Sequence, residues 1–232
     1  MLDGLRQWLH RTTAPARSYD GASAGRRGKY YGRMPSQLQA QQASRYELAA
    51  RARYLVANNA LAAAGADSWV SNLVGAGIKP RSLHKTRSTR EKLSLAWERA
   101  TDEFDADNVT DLYGVQAVMA RRMVVDGECF AVMFIRDDRL KVRLLDPEQI
   151  DRAMTRNLPT GGTIVSGIEF NAEGDRVAYH VRKHNVLHAG FTAEAQRIPA
   201  ADVLHLYRVD TPGQVRGVSW FAPVLTRTCP GV

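Results

Sequence analysis

A change of hydrophobic period at Gly127 constrains this chain more than any other feature. Before it, apolar residues recur at steps of three and four: Leu48, Ala52, Leu55, Ala62, Ala66, Trp69, Val70 and Leu73 form a stripe that Gly75 and Gly77 end. That is the spacing of helices burying one face. After it, residues 129–135 are a continuous bulky apolar run, and Leu140, Val142 and Leu144 alternate with Lys141 and Arg143, the patterns of a doubly buried strand and a half-buried partner. Helices then hairpins, segregated rather than alternating, predict an α+β fold.

Local signals place the elements. Ser44-Arg45-Tyr46-Glu47 and Ser88-Thr89-Arg90-Glu91 match the capping box, in which hydroxyl and carboxylate satisfy two orphan amides of a new helix. The second box leads to Leu93, Leu95, Ala96 and Trp97, expected inward. Asn58-Asn59 divides the first stripe into two helices, and Thr110 is expected to cap another with Leu112, Val115, Val118, Met119 and Met123 inward. The strand at 129–135 turns through Arg136-Asp137-Asp138-Arg139; a second hairpin pairs 164–170 with 176–181 across Asn171-Ala172-Glu173-Gly174-Asp175, and 203–207 is a fifth strand. Residues 2–10 suit a short amphipathic helix, whereas 12–43 have no sustained period. The expected organisation is a basic, mobile arm at 1–43, a helical segment at 44–127, a β-rich segment at 128–210, and at 211–232 the opening of a helix that Pro230-Gly231 cuts short. That ending reads as the N-terminal part of something longer.

With 232 residues the chain can bury a substantial core. No apolar run approaches the ~20 residues of a membrane-spanning helix, and polar residues interrupt 1–10, unlike a secretory signal. Two cysteines, Cys129 and Cys229, supply neither a disulfide framework nor a zinc site, which suggests a reducing compartment. The net charge of +8 is uneven: residues 1–45 carry eight Lys/Arg against two Asp/Glu, and residues 91–150 eight against thirteen. A basic first ninety residues and an acidic 91–150 would offer complementary faces to a second copy.

Candidate chemistry is sparse. Gly21-Ala22-Ser23-Ala24-Gly25 has the letters of a nucleophile elbow without the strand that must precede it. His180, His184 and His188 are four apart, but Val177, Tyr179 and Val181 alternate as a strand, which puts His180 on a solvated face rather than in a metal site. Asp102-Glu103-Phe104-Asp105-Ala106-Asp107-Asn108 fails the calcium-loop register, with Asn108 where Gly is needed and Gly114 where Glu is needed. Gly75-Ala76-Gly77 lacks the remaining residues of a phosphate-binding loop. No cofactor, metal or catalytic residue is expected. Arg26, Arg27, Lys29 and Arg33, interleaved with Tyr30 and Tyr31, have the composition that tracks phosphates and stacks on bases. They are the candidate DNA-binding residues.

Several blocks in order resemble the lambda-like family of tailed-bacteriophage portal proteins: Tyr19-Asp20-Gly21-Ala22-Ser23, Arg51-Ala52-Arg53-Tyr54-Leu55-Val56-Ala57-Asn58-Asn59, and Asp67-Ser68-Trp69-Val70-Ser71-Asn72-Leu73-Val74-Gly75-Ala76-Gly77-Ile78-Lys79-Pro80. Further on come Arg121-Arg122-Met123-Val124-Val125-Asp126-Gly127-Glu128-Cys129, Leu144-Leu145-Asp146-Pro147-Glu148, and Pro212-Gly213-Gln214-Val215-Arg216-Gly217-Val218-Ser219-Trp220. The resemblance implies a non-enzymatic subunit of a ring, typically a dodecamer, at the portal vertex of a virion of phage or prophage origin. Double-stranded DNA passes through such a ring without sequence specificity. The implied partners are other copies of itself, the terminase, and the major capsid and head-completion proteins, with assembly in the bacterial cytoplasm and no membrane. It also implies that this chain supplies the wing and stops before most of the stem, clip and tunnel loop. Two other classes compete: a non-specific nucleic-acid-binding module using the arm, and a metal-dependent hydrolase using the histidines.

Overall fold

The first long helix, α1 (Gln37–Asn58), starts among Leu, Gln and Ala, all good helix formers, and buries Ala49, Ala52, Leu55 and Val56 at steps of three and four. In this computed structural model the described residues are 36–185 and 190–225. Because α1 begins at Gln37, Ser44 to Glu47 lie inside it rather than capping it; Glu47 instead pairs with Arg51 one turn on, at 2.7 Å. Asn59 ends α1 as expected. Its side chain accepts from the Leu61 and Ala62 amides and so starts α2 (Ala60–Leu73), whose small buried Ala62 and Ala66 allow close approach to Ala52, Leu55 and Val56.

Helix α3 (Arg87–Thr101) begins one residue ahead of its expected capping box, behind Thr86, which makes no side-chain cap bond; Glu91 is taken by Arg87 at 2.8 Å. Helix α4 (Leu112–Val125) is capped by Asp111, which accepts from Gly114, rather than by Thr110. Leu112 and Val115 are buried as expected, whereas Val118 stays 43% exposed.

Strands β1 (Glu128–Arg136), β2 (Arg139–Leu145) and β8 (Val203–Tyr207) form an antiparallel sheet in the order β2-β1-β8. Asp137 and Asp138 both take positive φ (52° and 57°) in the two-residue turn, the geometry that matches strand twist. One face of β1 carries Ala131, packed on Val115 and Val142 beneath α4. The other carries Phe130, fully buried against Leu145, Tyr179, Val181 and Val203.

The second sheet is a meander of β3 (Arg156–Asn157), β4 (Thr163–Val165), β5 (Ile168–Phe170), β6 (Arg176–Asn185) and β7 (Gly190–Pro199). The single strand expected at 164–170 is therefore two. Ser166 and Gly167 both have positive φ (50° and 79°), and a Cβ at Gly167 would crowd the Asp151 backbone, so the chain reverses there. Strand β7 was not anticipated, because its sequence alternates weakly and only its inner positions are half-buried. The helix opening expected at Ser219 is, through Leu225, a run of turns with bonds from Ala222 to Ser219 and from Val224 to Phe221. The two sheets face one another across the Phe130 cluster, and among the described residues no helix is long and apolar enough to cross a membrane.

Candidate functional site

Gly127 (φ +93°) lets the chain turn from α4 into β1 while the backbone around residues 217–219 passes against it. A Cβ at Gly127 would fall on the Val218 carbonyl, and one at Gly217 on the Gly127 carbonyl. This crossing sets Arg216 beside Glu128, both nearly buried at 5% and 2% exposed. The Arg216 Nε donates to both Glu128 oxygens at 2.9 Å, its Nη2 to Oε1 at 2.6 Å, and the Gly217 amide to Oε2 at 2.9 Å. His205 donates from 3.2 Å and Arg45 from 3.3 Å. Burial alone would raise the Glu128 carboxyl; the Arg216 guanidinium overcomes this and holds it far below the usual carboxylate range.

The tautomer of His205 follows from its neighbours. Arg176, which can only donate, points Nη1 at its Nδ1 from 3.1 Å, and the Glu128 carboxylate takes Nε2–H. Burial pushes this imidazole down to about 4, against the pull of Glu128, so the ring is neutral and stacked on Phe130 with centroids 4.1 Å apart. Arg176 also reaches the Tyr207 hydroxyl at 2.5 Å and the Gln214 and Val215 carbonyls. Gln214 in turn bonds the Arg216 carbonyl at 2.9 Å. Helix α1, strands β1 and β8 and the 211–217 segment thus share one buried ionic hub.

Part of the charge polarity is met by ion pairs within the chain. Arg53 pairs with Asp126 at 2.5 Å and with Glu148; Arg122 pairs with Asp126 at 2.9 Å and with Asp146. Arg143 takes Asp107 at 3.0 Å, and Arg139 takes Glu103. Asp126 and Glu128 are thus drawn inward, whereas Glu91, Glu98, Asp102, Glu103, Asp107, Asp137 and Asp138 stay exposed. Asp105 of the acidic cluster folds back on its own loop, accepting from the amides of Asp107, Val109 and Thr110.

Where the two sheets diverge, a cleft of about 900 Å³ opens, with Val132, Leu145, Val181 and Ile198 at its base and Arg136, Arg143, Arg182, Lys183 and His184 around it. Among the described residues its lining has no Ser, Thr or Cys to act as a nucleophile. His180 and His184 have different partners. His180 is buried rather than solvated, because it bonds Glu169 at 2.9 Å, which Arg197 also grips. His184 is exposed against Phe191, and His188 lies outside the described residues. Among the described residues no three His, Cys, Asp or Glu side chains are grouped to hold a metal. Arg26, Arg27, Lys29, Arg33 and the Gly21–Gly25 pentapeptide also lie outside the described residues.

The second functional feature is α3. Of its fifteen residues only Thr101 is buried; Leu93, Leu95 and Trp97, expected inward, are 49%, 55% and 36% exposed. The Arg90 guanidinium holds its first turn to the His84 and Lys85 carbonyls just ahead of it. Such a helix is marginal in water by itself, and an apolar stripe left in solvent marks an interaction surface.

Sequence reasoning placed Glu128 and Arg216 in motif blocks without seeing that they meet. The available signal was a lone Glu opening an apolar strand directly after Gly127, since such a charge requires a buried partner. A search of curated proteins found no match. The family described as "Phage portal protein, lambda family" matches residues 25–229, a span that takes in the helices, both sheets and the hub; the chain belongs to the lambda family of phage portal proteins.

Proposed function

We propose that this chain is a structural, non-enzymatic subunit of the ring through which double-stranded DNA is packaged and ejected at one vertex of a phage or prophage capsid. In the ring it forms wing, and it works with the terminase and with capsid and head-completion proteins in the virion. The observation that carries the ring reading is α3: a chain of this family presents a fifteen-residue helix with Leu93, Leu95 and Trp97 uncovered. A heterologous contact between copies would bury it, and such contacts close into rings when the rotation permits.

The test is the assembly state of the purified chain by sedimentation, with electron micrographs of any particles. Closed rings of constant subunit number are expected, and the double variant Leu93→Ser/Trp97→Ser should sediment as folded monomer. Monomer at every concentration, or rings indifferent to that variant, would overturn the reading.

The basic composition of the arm supports DNA contact by Arg26, Arg27, Lys29 and Arg33. Such contact is to phosphates and indifferent to sequence, because a conduit passes every base. Changing all four to Ala should weaken duplex binding equally for unrelated sequences and flatten the salt dependence by about 0.9 log units per lost phosphate contact. If this arm binds DNA without any ring forming, the chain is instead a nucleic-acid-binding module.

A further inference from the structure

Between α1, the start of β1 and the turn Pro147–Gln149 lies a small cavity of about 90 Å³, which shares Arg182 with the cleft between the sheets. Five guanidiniums line it, those of Arg45, Arg53, Arg152, Arg182 and Arg216, against three carboxylates, those of Asp126, Glu128 and Glu148. Each carboxylate already faces a guanidinium, although Asp126 Oδ2, 2.9 Å from Arg122 Nε, accepts no hydrogen bond. Arg53 holds Asp126 and Glu148, and Arg216 holds both oxygens of Glu128.

Three guanidiniums are left with spare donors on this one space. Arg45 has a 3.3 Å bond to the Glu128 oxygen that Arg216 Nη2 already occupies at 2.6 Å. Arg152 meets the Tyr46 ring, 3.4 Å from its centroid, and no carboxylate among the described residues. Arg182 gives Nη2 to the Glu148 carbonyl at 3.0 Å, while its buried Nε–H has no partner. An unpaired donor in a desolvated space costs free energy, and an anion would satisfy the Arg182 Nε–H while answering the charge of Arg152 at the rim. The cavity has room for about three waters at their share of liquid volume, which suits one tetrahedral oxyanion.

We propose that this cavity binds a phosphate oxyanion through Arg45, Arg152 and Arg182. The site is independent of ring formation and of the arm. Burial and the neighbouring Arg216 bring the Arg45 pKa down to about 10, the strain of a guanidinium with too little negative charge nearby. The same chemistry is available from free phosphate and from a nucleic-acid phosphate.

The experiment is calorimetric titration of the full chain with inorganic phosphate at ionic strength fixed by chloride, for the wild type, Arg152→Gln and Arg182→Gln. One saturable site is expected, weakened about tenfold or more in either variant, as loss of one charged hydrogen bond requires. Arg152 is exposed, so Arg152→Gln should keep its thermal midpoint without phosphate, which separates lost binding from lost folding. A short DNA duplex that displaces the phosphate would identify nucleic acid as the source; failure to displace it would identify the free ion. Uptake that does not saturate, or that is equal in the wild type and both variants, overturns the proposal.

Discussion

A carboxylate as deeply buried as that of Glu128 is tolerable only because every direction it faces holds a donor. Removing its charge strands Arg216 and Arg45 in the interior. Glu128→Gln should therefore lose about 3–5 kcal/mol of stability in chemical denaturation, the cost of breaking a buried pair from one side; an unchanged midpoint would remove the hub as a stabilising element. His205 adds a pH dependence of defined sign. Its folded pKa of about 4 lies below the ordinary 6.5, so the unfolded chain binds more protons between those values, and stability falls as pH drops from 6.5 to about 4. The loss is about 3 kcal/mol by the usual conversion. His205→Gln, which cannot titrate, should flatten that part of the stability profile while leaving the further acid loss from Glu128, whose own depressed carboxyl destabilises the fold only at lower pH.

At the scale of elements, the junction between α1 and α2 depends on the two amide bonds accepted by Asn59. Asn59→Ala should cost about 1 kcal/mol, read as a lower thermal midpoint without change of assembly. This break was legible in the sequence because Asn58-Asn59 interrupts a helical stripe, and the β1–β2 hairpin was legible because Asp137-Asp138 suits the turn between two apolar runs. The division of 164–170 was not legible: Val165 and Ile168 keep an apolar pattern across a reversal that Ser166 and Gly167 impose through backbone conformation. Helix α3 misled for a different reason. Periodicity reports that Leu93, Ala96 and Trp97 share a face, but it cannot say whether the covering surface belongs to the same chain. His180 misled likewise, since strand alternation places it opposite Tyr179 without revealing that Glu169 and Arg197 close over that side.

For the whole molecule, the position of the charges changes what assembly should depend on. Arg45, Arg53 and Arg122 meet their carboxylates inside the chain, while α3 leaves the apolar Leu93, Leu95 and Trp97 uncovered. Association of copies through Leu93 and Trp97 should therefore persist when salt is raised to several times the physiological level, because apolar burial is not screened. DNA retention should collapse over the same range. Sedimentation and filter binding across one salt series separate the two; rings that dissociate in step with DNA release would return the interface to electrostatics.

The crossing of Gly127 and Gly217 has a mechanical corollary. The Trp220 amide donates to the Val124 carbonyl at 3.1 Å, and the preceding residues are clamped by Arg216 and Gln214. A tug on the polypeptide beyond residue 220 would thus load helix α4 through Val124 and strand β1 through Glu128, which makes this stretch a lever arm rather than a slack tether.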